Sequence, residues 1–319
     1  MSILSVEHLS HGFGDREIFR DVSFRLLKGE HIGLVGANGE GKSTFMSIIT
    51  RKLEPDAGKI EWAKNVQVGY LDQHAVLQSG MRIVDVLRDA FASLFRQEAR
   101  MNELCDRMGS MEEEEMNEAM EELGVIQDLL MAHDFYQIDA KIEEIANAFE
   151  LKELGLSRDV AELSGGQRTK VLLAKLLLSK PDILLLDEPT NYLDAQHIEW
   201  LTRYLQDYEN AFILISHDLP FLNRVVNVIY HVEEGGLERY PGDYRHFEEV
   251  YAAKRMQLEA AYKRQQQEMA ELKDFVARNK SRVATRNMAM SRQKKLDKME
   301  KIQRIEERPK PEFHFETAR

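Results

Sequence analysis

The most specific chemistry in the chain sits in Gly36-Ala37-Asn38-Gly39-Glu40-Gly41-Lys42-Ser43. Glycines at this spacing let the backbone curl until consecutive N–H groups point at one anion, a nucleotide β-phosphate. Lys42 then reaches the β and γ oxygens, and the Ser43 hydroxyl is a ligand for Mg²⁺. The nucleotide-contacting stretch runs from Gly36 to Thr44. A second signal is Ile183-Leu184-Leu185-Leu186-Asp187-Glu188, an apolar run that ends in two acids. A buried strand with that ending places carboxylates at a sheet edge beside phosphates. Asp187 is suited to hold Mg²⁺, and Glu188 to orient or deprotonate an attacking water. Alone, the pair reads equally well as two solvated acids; the glycine loop in the same chain decides between the readings. A third signal, Leu163-Ser164-Gly165-Gly166-Gln167, opens a helical stretch. Its serine and glycine N–H groups make a second anion-binding helix start.

The elements around these motifs alternate. His31–Val35 reads as a buried strand before the glycine loop, and Lys42–Ile49 as the helix after it. Strands are expected at Ile3–Leu9, Gly58–Trp62, Val66–Leu71, Ile183–Leu186, Ala211–Ile215 and Val228–Val232. Helices are expected at Gln167–Leu178 and Ala195–Leu205. Strands alternating with helices predict an α/β fold with a mainly parallel sheet. From Ile83 to Glu150 the chain turns helical and acidic. From Tyr244 to Glu307 it has no proline and follows one long helical pattern, with a turn expected near Ser281–Asn287. That pattern predicts a helical hairpin. Its second half is basic: roughly ten Lys and Arg between Arg278 and Arg304 face Asp297 and Glu300.

Loop, Leu-Ser-Gly-Gly-Gln and Asp-Glu in one chain resemble an ATP-binding-cassette (ABC) nucleotide-binding domain, over Met1 to about Tyr240. The resemblance implies a P-loop cassette that binds and hydrolyses ATP with Mg²⁺. It implies that Gln73 senses Mg²⁺ and the attacking water, and that His217 is the switch histidine at the γ-phosphate. Asp194 is then the acid of the loop that joins two composite sites, and Phe13 the aromatic that stacks on adenine. Ser164, Gly165, Gly166 and Gln167 would contact the ATP of a second cassette, supplied by a missing C-terminal half or by a second copy head to tail.

Pro189-Thr190-Asn191-Tyr192-Leu193-Asp194 resembles the soluble ABC-F group more than transport cassettes, which more often carry Thr-Ser-Ala-Leu-Asp there. In that group a helical linker follows the first cassette, enters the ribosome and touches tRNA. The expected organisation is therefore a cassette over 1–240, with a helical subdomain and acidic arm over about 74–160. A basic hairpin linker over 241–308 and a lead-in to a second cassette over 309–319 follow. Arg278, Lys280, Arg282, Arg286, Arg292, Lys294 and Lys295 are the RNA-contact candidates, because cations on a hairpin neutralise phosphates. A transporter's ATPase subunit is the alternative reading, and a DNA-repair type of cassette a weaker one.

Composition sets outer bounds. The 319 residues carry a formal net charge of −12 and one cysteine, Cys105, so no internal disulfide can form. No apolar run reaches the roughly 18 residues of a membrane helix. A cytoplasmic location is expected.

Overall fold

The computed structural model describes residues 2–71, 80–279 and 286–299, with backbone only at Glu113, Asn279 and Arg286. Two long strands, β1 (Ser2–Phe13) and β2 (Arg16–Leu27), form a hairpin closed by Gly14-Asp15. Inward positions do not keep one phase along them: Leu4, Val6, Leu9 and His11 are buried on β1. The register shifts where His8 and Asp21 adopt left-handed backbone, φ 52° and 51°, and their side chains meet at 2.7 Å. Such bulges flip the alternation, which is why only Ile3–Leu9 was legible as strand and β2 was not anticipated.

Next come β3 (His31–Val35), α1 (Lys42–Ile49), β4 (Ala57–Trp62) and β5 (Val68–Leu71). β5 begins at Val68; the expected start at Val66 is two residues too early. The helical insertion holds α2 (Ile83–Arg88), α3 (Ala92–Arg107), α4 (Glu113–Ala132), α5 (Ile138–Ala148) and the short α6 (Leu151–Leu154). The core resumes with α7 (Gly165–Ser179), β6 (Ile183–Asp187), α8 (Ala195–Gln206), β7 (Ala211–Ile215), α9 (Leu219–Val225), β8 (Val228–Glu233) and β9 (Gly236–Pro241). Then follow α10 (Tyr244–Asn279) and α11 (Arg286–Lys298).

β2, β1 and β4 form an antiparallel sheet. The second sheet has the order β5-β6-β7-β3-β8-β9 and is parallel except for β9. Every residue of β6 and β7 is buried, the pattern of strands covered on both faces. The order matters for chemistry. β6, β7 and β3 are neighbours, so their C-terminal ends lie side by side, and each leads into one of the motifs. Trp62 ties the antiparallel sheet to α1 by donating its indole N–H to the Ile49 carbonyl at 3.0 Å.

In the insertion, α3 and α4 pair through Leu94, Leu104, Ala119, Ile126 and Leu130, all buried. Arg100 forks onto both carboxylate oxygens of Glu122, at 2.8 and 3.0 Å. Both helices fall within the stretch over about 74–160 where the sequence led to the expectation of a helical subdomain and acidic arm.

The chain divides into two compact units, Met1–Arg245 and His246–Arg319. Within the second, α10 and α11 run antiparallel. Arg292 lies over the Phe275 ring, 3.5 Å from its centroid, and Lys295 donates to Glu268 at 2.7 Å. Met269, Val276 and Ala289 are buried there. Of the turn expected near Ser281–Asn287, residues 281–285 lie outside the described residues, while Arg286 and Asn287 already belong to α11; the stretch from Glu300 to Arg319 also lies outside them.

Ile213, fully buried in the middle of β7, tests the core. Ile213→Ala should lower the unfolding free energy by about 2–5 kcal/mol. The readout is a lower urea midpoint at unchanged slope. A loss under about 1 kcal/mol would mean that the strand is less tightly packed than described.

Candidate nucleotide-binding site

The loop after β3 is held open by two close approaches. Gly36 has φ 154°, and a Cβ there would meet the Val232 carbonyl oxygen of β8 at 2.5 Å. Gly41 has φ 106°, and its Cβ would meet Ile18 Cγ2 at 2.4 Å and Phe19 Cζ at 3.1 Å. The loop is thus wedged between β2 and β8, and only glycine fits at both points. Arg16 braces it by donating Nη2–H to the Gly39 carbonyl at 2.7 Å. α1 starts at Lys42 with Gly41 as its cap and no side-chain cap, so its first N–H groups face the loop's concave side.

Lys42 is buried, and its Nζ donates to the Gly36 and Ala37 carbonyls at 2.8 and 3.1 Å. Burial pushes its ammonium pKa down, while Glu188, Asp187 and Glu40 pull it back up. Asp187 ends β6 and is also buried. Burial pushes its carboxyl up, opposed by a hydrogen bond from Ser43 and by the charges of Lys42 and His217. A hydroxyl and a carboxylate already joined, with no soft ligand, make an oxygen donor set that suits a hard cation such as Mg²⁺. A cation there would also relieve the cost of burying Asp187.

Glu188 adopts left-handed backbone, φ 50°, immediately after the strand. Its N–H donates to the Ile215 carbonyl of β7 at 2.9 Å. The backbone N–H of His217 donates to Glu188 Oε2 at 3.2 Å, and the His217 ring Nε2 lies 3.3 Å from Oε1. One residue therefore holds Oε2 by a backbone hydrogen bond and sets its ring beside Oε1, which is buried with no hydrogen-bond partner among the described residues. His217 itself stays 62% exposed, so its ring can face a ligand as well.

Phe13 ends β1 half-exposed, with its ring edge-on to His11 at a centroid distance of 4.8 Å. Gln73 lies outside the described residues. Ser164 caps α7, and with Gln167 it closes a capping box, Ser164 N–H to Gln167 Oε1 at 2.9 Å and Gln167 N–H to Ser164 Oγ at 3.4 Å. Tyr192, exposed and at φ 69°, lies against this helix start: a Cβ on Gly166 would meet Tyr192 Cβ at 3.2 Å. Asp194 caps α8 by accepting the N–H groups of Gln196 and His197, both at 3.0 Å. Those bonds, with His197's backbone first, hold its carboxyl below the usual range.

Behind Asp194 stands a residue that motif reading passes over. His197 is 1% exposed, with Nδ1 2.7 Å from Asp194 and Nε2 3.8 Å from Glu150 of the helical insertion. Phe149 stacks on its ring at 5.8 Å. Tyr192, Arg16 and His197 were all missed because each acts through a partner far away in sequence or through a local fold that no spacing encodes.

Lys42, Ser43, Asp187, Glu188 and His217 are thus one cluster, beside a loop shaped for phosphate. Fold and cluster together define the class: a P-loop ATP-binding cassette. The chain belongs to the ABC transporter family. That family matches residues 19–191, and a further family, also described as ABC transporter, matches residues 230–315. The uncharacterized ABC transporter ATP-binding protein YfmM of Bacillus subtilis is 71% identical over all 319 residues, which cover 62% of its length. ABC transporter F family member 2 of Arabidopsis thaliana is 32% identical, with 94% of this chain and 45% of that protein covered. The energy-dependent translational throttle protein EttA of Mycobacterium tuberculosis is 34% identical, with 76% of this chain and 42% of that protein covered. The chain therefore spans less than two thirds of each of these relatives. A solved ATP-binding subunit of an ABC transporter superposes with a TM-score of 0.55 at 22% identity, covering 75% of this chain and 90% of that one. At that identity the likeness shows the fold, and the α/β cassette with helical segments expected from the sequence is the fold found. No helix among the described residues is long and apolar enough to cross a membrane.

Gly41→Ala tests the wedge. The added methyl must displace Ile18 and Phe19, so ATP affinity should fall at least 100-fold while the circular dichroism spectrum keeps its helix and strand content. Wild-type affinity in a titration with fluorescent ATP would mean that the loop does not receive the phosphates.

Proposed function

We propose that this chain is an ATP-hydrolysing cassette of the ABC-F type that works on the ribosome in the cytoplasm. The convergence of Lys42, Asp187, Glu188 and His217 at adjacent ends of three parallel strands carries the hydrolytic part. The N–H groups of Gly39, Gly41, Lys42 and Ser43 receive the β-phosphate, that of Glu40 being bonded to the Ala37 carbonyl, and Lys42 exchanges its loop carbonyls for β and γ oxygens. Glu188, held at Oε2 by the His217 backbone N–H and with Oε1 left to accept a proton, orients a water in line with the γ-phosphorus and takes its proton. Ser43 and Asp187 would hold Mg²⁺, which would supply positive charge to offset that of the phosphates. Gln73 would complete this set. The exposed start of α7, Ser164 to Gln167, serves the ATP of a second cassette, and Asp194 links the two composite sites.

Several observations support the ABC-F reading. Asn191 precedes Tyr192 and Asp194 in the loop after Glu188, the α3–α4 pair forms an arm, and an antiparallel hairpin follows the cassette. Relatives include an F family member and a translational throttle protein. The hairpin also narrows the RNA-contact candidates. Arg278 pairs with Asp274 at 2.9 Å, Arg292 covers Phe275, and Lys295 pairs with Glu268. Of those candidates Lys294 remains exposed on α11, and Lys298, which was not among them, is exposed one turn further on, so these two are the cations of α11 best placed for phosphate. Lys280, Arg282 and the Arg286 side chain are not described.

Glu188→Gln should retain ATP binding and lose at least 100-fold in hydrolysis rate, the lower end for a general base. Turnover within a few-fold of wild type, measured by phosphate release, would remove Glu188 from that role. Ribosome binding tests the second part. The Glu188→Gln chain with ATP should co-sediment with ribosomes, and Lys294→Glu/Lys298→Glu should weaken this several-fold, more at low salt than at high salt. Ribosome binding unaffected by these charges would argue against the hairpin as the contact. No binding at all would favour service to a membrane partner.

A further inference from the structure

Arg16 stands directly across the β1–β2 hairpin from Phe13. Directly opposed residues of antiparallel strands project from the same face. Arg16 therefore fixes where that face looks, because its guanidinium ends 2.7 Å from the Gly39 carbonyl of the phosphate loop. Phe13, half-exposed on the same face, looks to the same region.

Loop geometry explains why an arginine suits this place. In an anion-binding loop the N–H groups converge on the ligand, so the loop carbonyls need other donors. Gly39, at φ 81°, gives its carbonyl to Arg16. A guanidinium has five N–H donors in a rigid fork. Among the described residues Arg16 hydrogen-bonds through one of them to Gly39, and the residue stays exposed beside the loop. A fork can hold a backbone carbonyl with one edge and a phosphate oxygen with another, which a compact ammonium does less well.

We infer that Arg16 is a further nucleotide-binding residue of this site, pinning the phosphate loop through Gly39 and giving its remaining N–H donors to the phosphates of a nucleoside di- or triphosphate whose base lies on Phe13. This rests on the nucleotide reading of the loop. It assigns one hairpin end to both halves of the ligand: the ring to the base and the guanidinium to the phosphates. The hairpin thereby senses ligand at two points and sets the spacing between them. Arg16 is a binding and positioning residue; nothing places it at the reacting γ-phosphorus.

Titration of the whole chain with fluorescent ATP and ADP tests this, using Arg16→Ala, Arg16→Gln and Arg16→Lys beside wild type. One exposed charge-assisted hydrogen bond corresponds to about a tenfold change in affinity. Arg16→Ala and Arg16→Gln should each bind both nucleotides about tenfold more weakly, with the gap narrowing at high salt. Arg16→Lys, which keeps the charge and loses the fork, should recover only part of the loss. The glutamine variant is decisive, because it keeps a donor for Gly39 and removes the charge. Wild-type affinity in Arg16→Gln would overturn the phosphate contact, and wild-type affinity in Arg16→Ala would overturn the inference altogether. Lys42→Ala run in parallel separates the two levels. If wild type and Lys42→Ala bind ATP alike, the nucleotide reading fails. If Lys42→Ala alone loses binding, only the role of Arg16 fails. Unchanged melting temperatures keep misfolding out of the comparison.

Discussion

A phosphate can sit on backbone N–H groups only if those groups are left unpaired and aimed at one point, and the cassette is built around that requirement. The chain must leave β3, curl and enter α1 without side chains in the way. Val232 on one side and Ile18 with Phe19 on the other press against the curl so closely that Gly36 and Gly41 accept no Cβ. The loop's shape is therefore a property of its neighbours as much as of its glycines. It also explains why two sheets are needed. β8 belongs to the parallel sheet and β2 to the antiparallel one, and the loop is held in the angle between them.

Charge imposes the second constraint. Lys42 is the cation that Asp187, Glu188 and Glu40 act on, and burial penalises the charged form of both Lys42 and Asp187. Isolated ions at such depth would be costly, and mutual attraction offsets part of the penalty. The arrangement is tuned to gain from what it would bind: a cation suits the Ser43–Asp187 pair, and an anion suits Lys42 and the loop. Stability withheld from the ligand-free fold becomes available to the complex, a common trade at functional sites.

Beyond this cluster, contacts run outward through residues of no motif. Tyr192 lies on Gly166 at the head of α7. His197 sits between Asp194 and Glu150, under Phe149, and so joins the loop after β6 to the helical insertion. Glu188 and Tyr192 both hold left-handed backbone within this loop, at φ 50° and 69°. Strain of this kind persists where surrounding structure over-determines it. The segment from Glu188 to His197 is thus positioned by both the sheet core and the helical insertion.

Much of this was legible in residue order. The glycine loop, the apolar runs of β3, β6 and β7, and helix α1 from Lys42 to Ile49 depend on local periodicity and on backbone freedom, which a sequence carries directly. So did the cassette class, because its motifs fix both residue type and order. What the sequence could not decide was partnership. β2 was hidden by a bulge that breaks its alternation, β9 carries Gly236, Glu238, Arg239 and Pro241 and so shows no apolar run, and α9 is too short to show a helical period. Arg278, Arg292 and Lys295 read alike as free cations until their neighbours Asp274, Phe275 and Glu268 were in place. Arg16 became more than a surface charge only when Gly39 came within 2.7 Å of it. Local sequence sets what a residue can do; the fold, by bringing distant residues into contact, decides what it does it to.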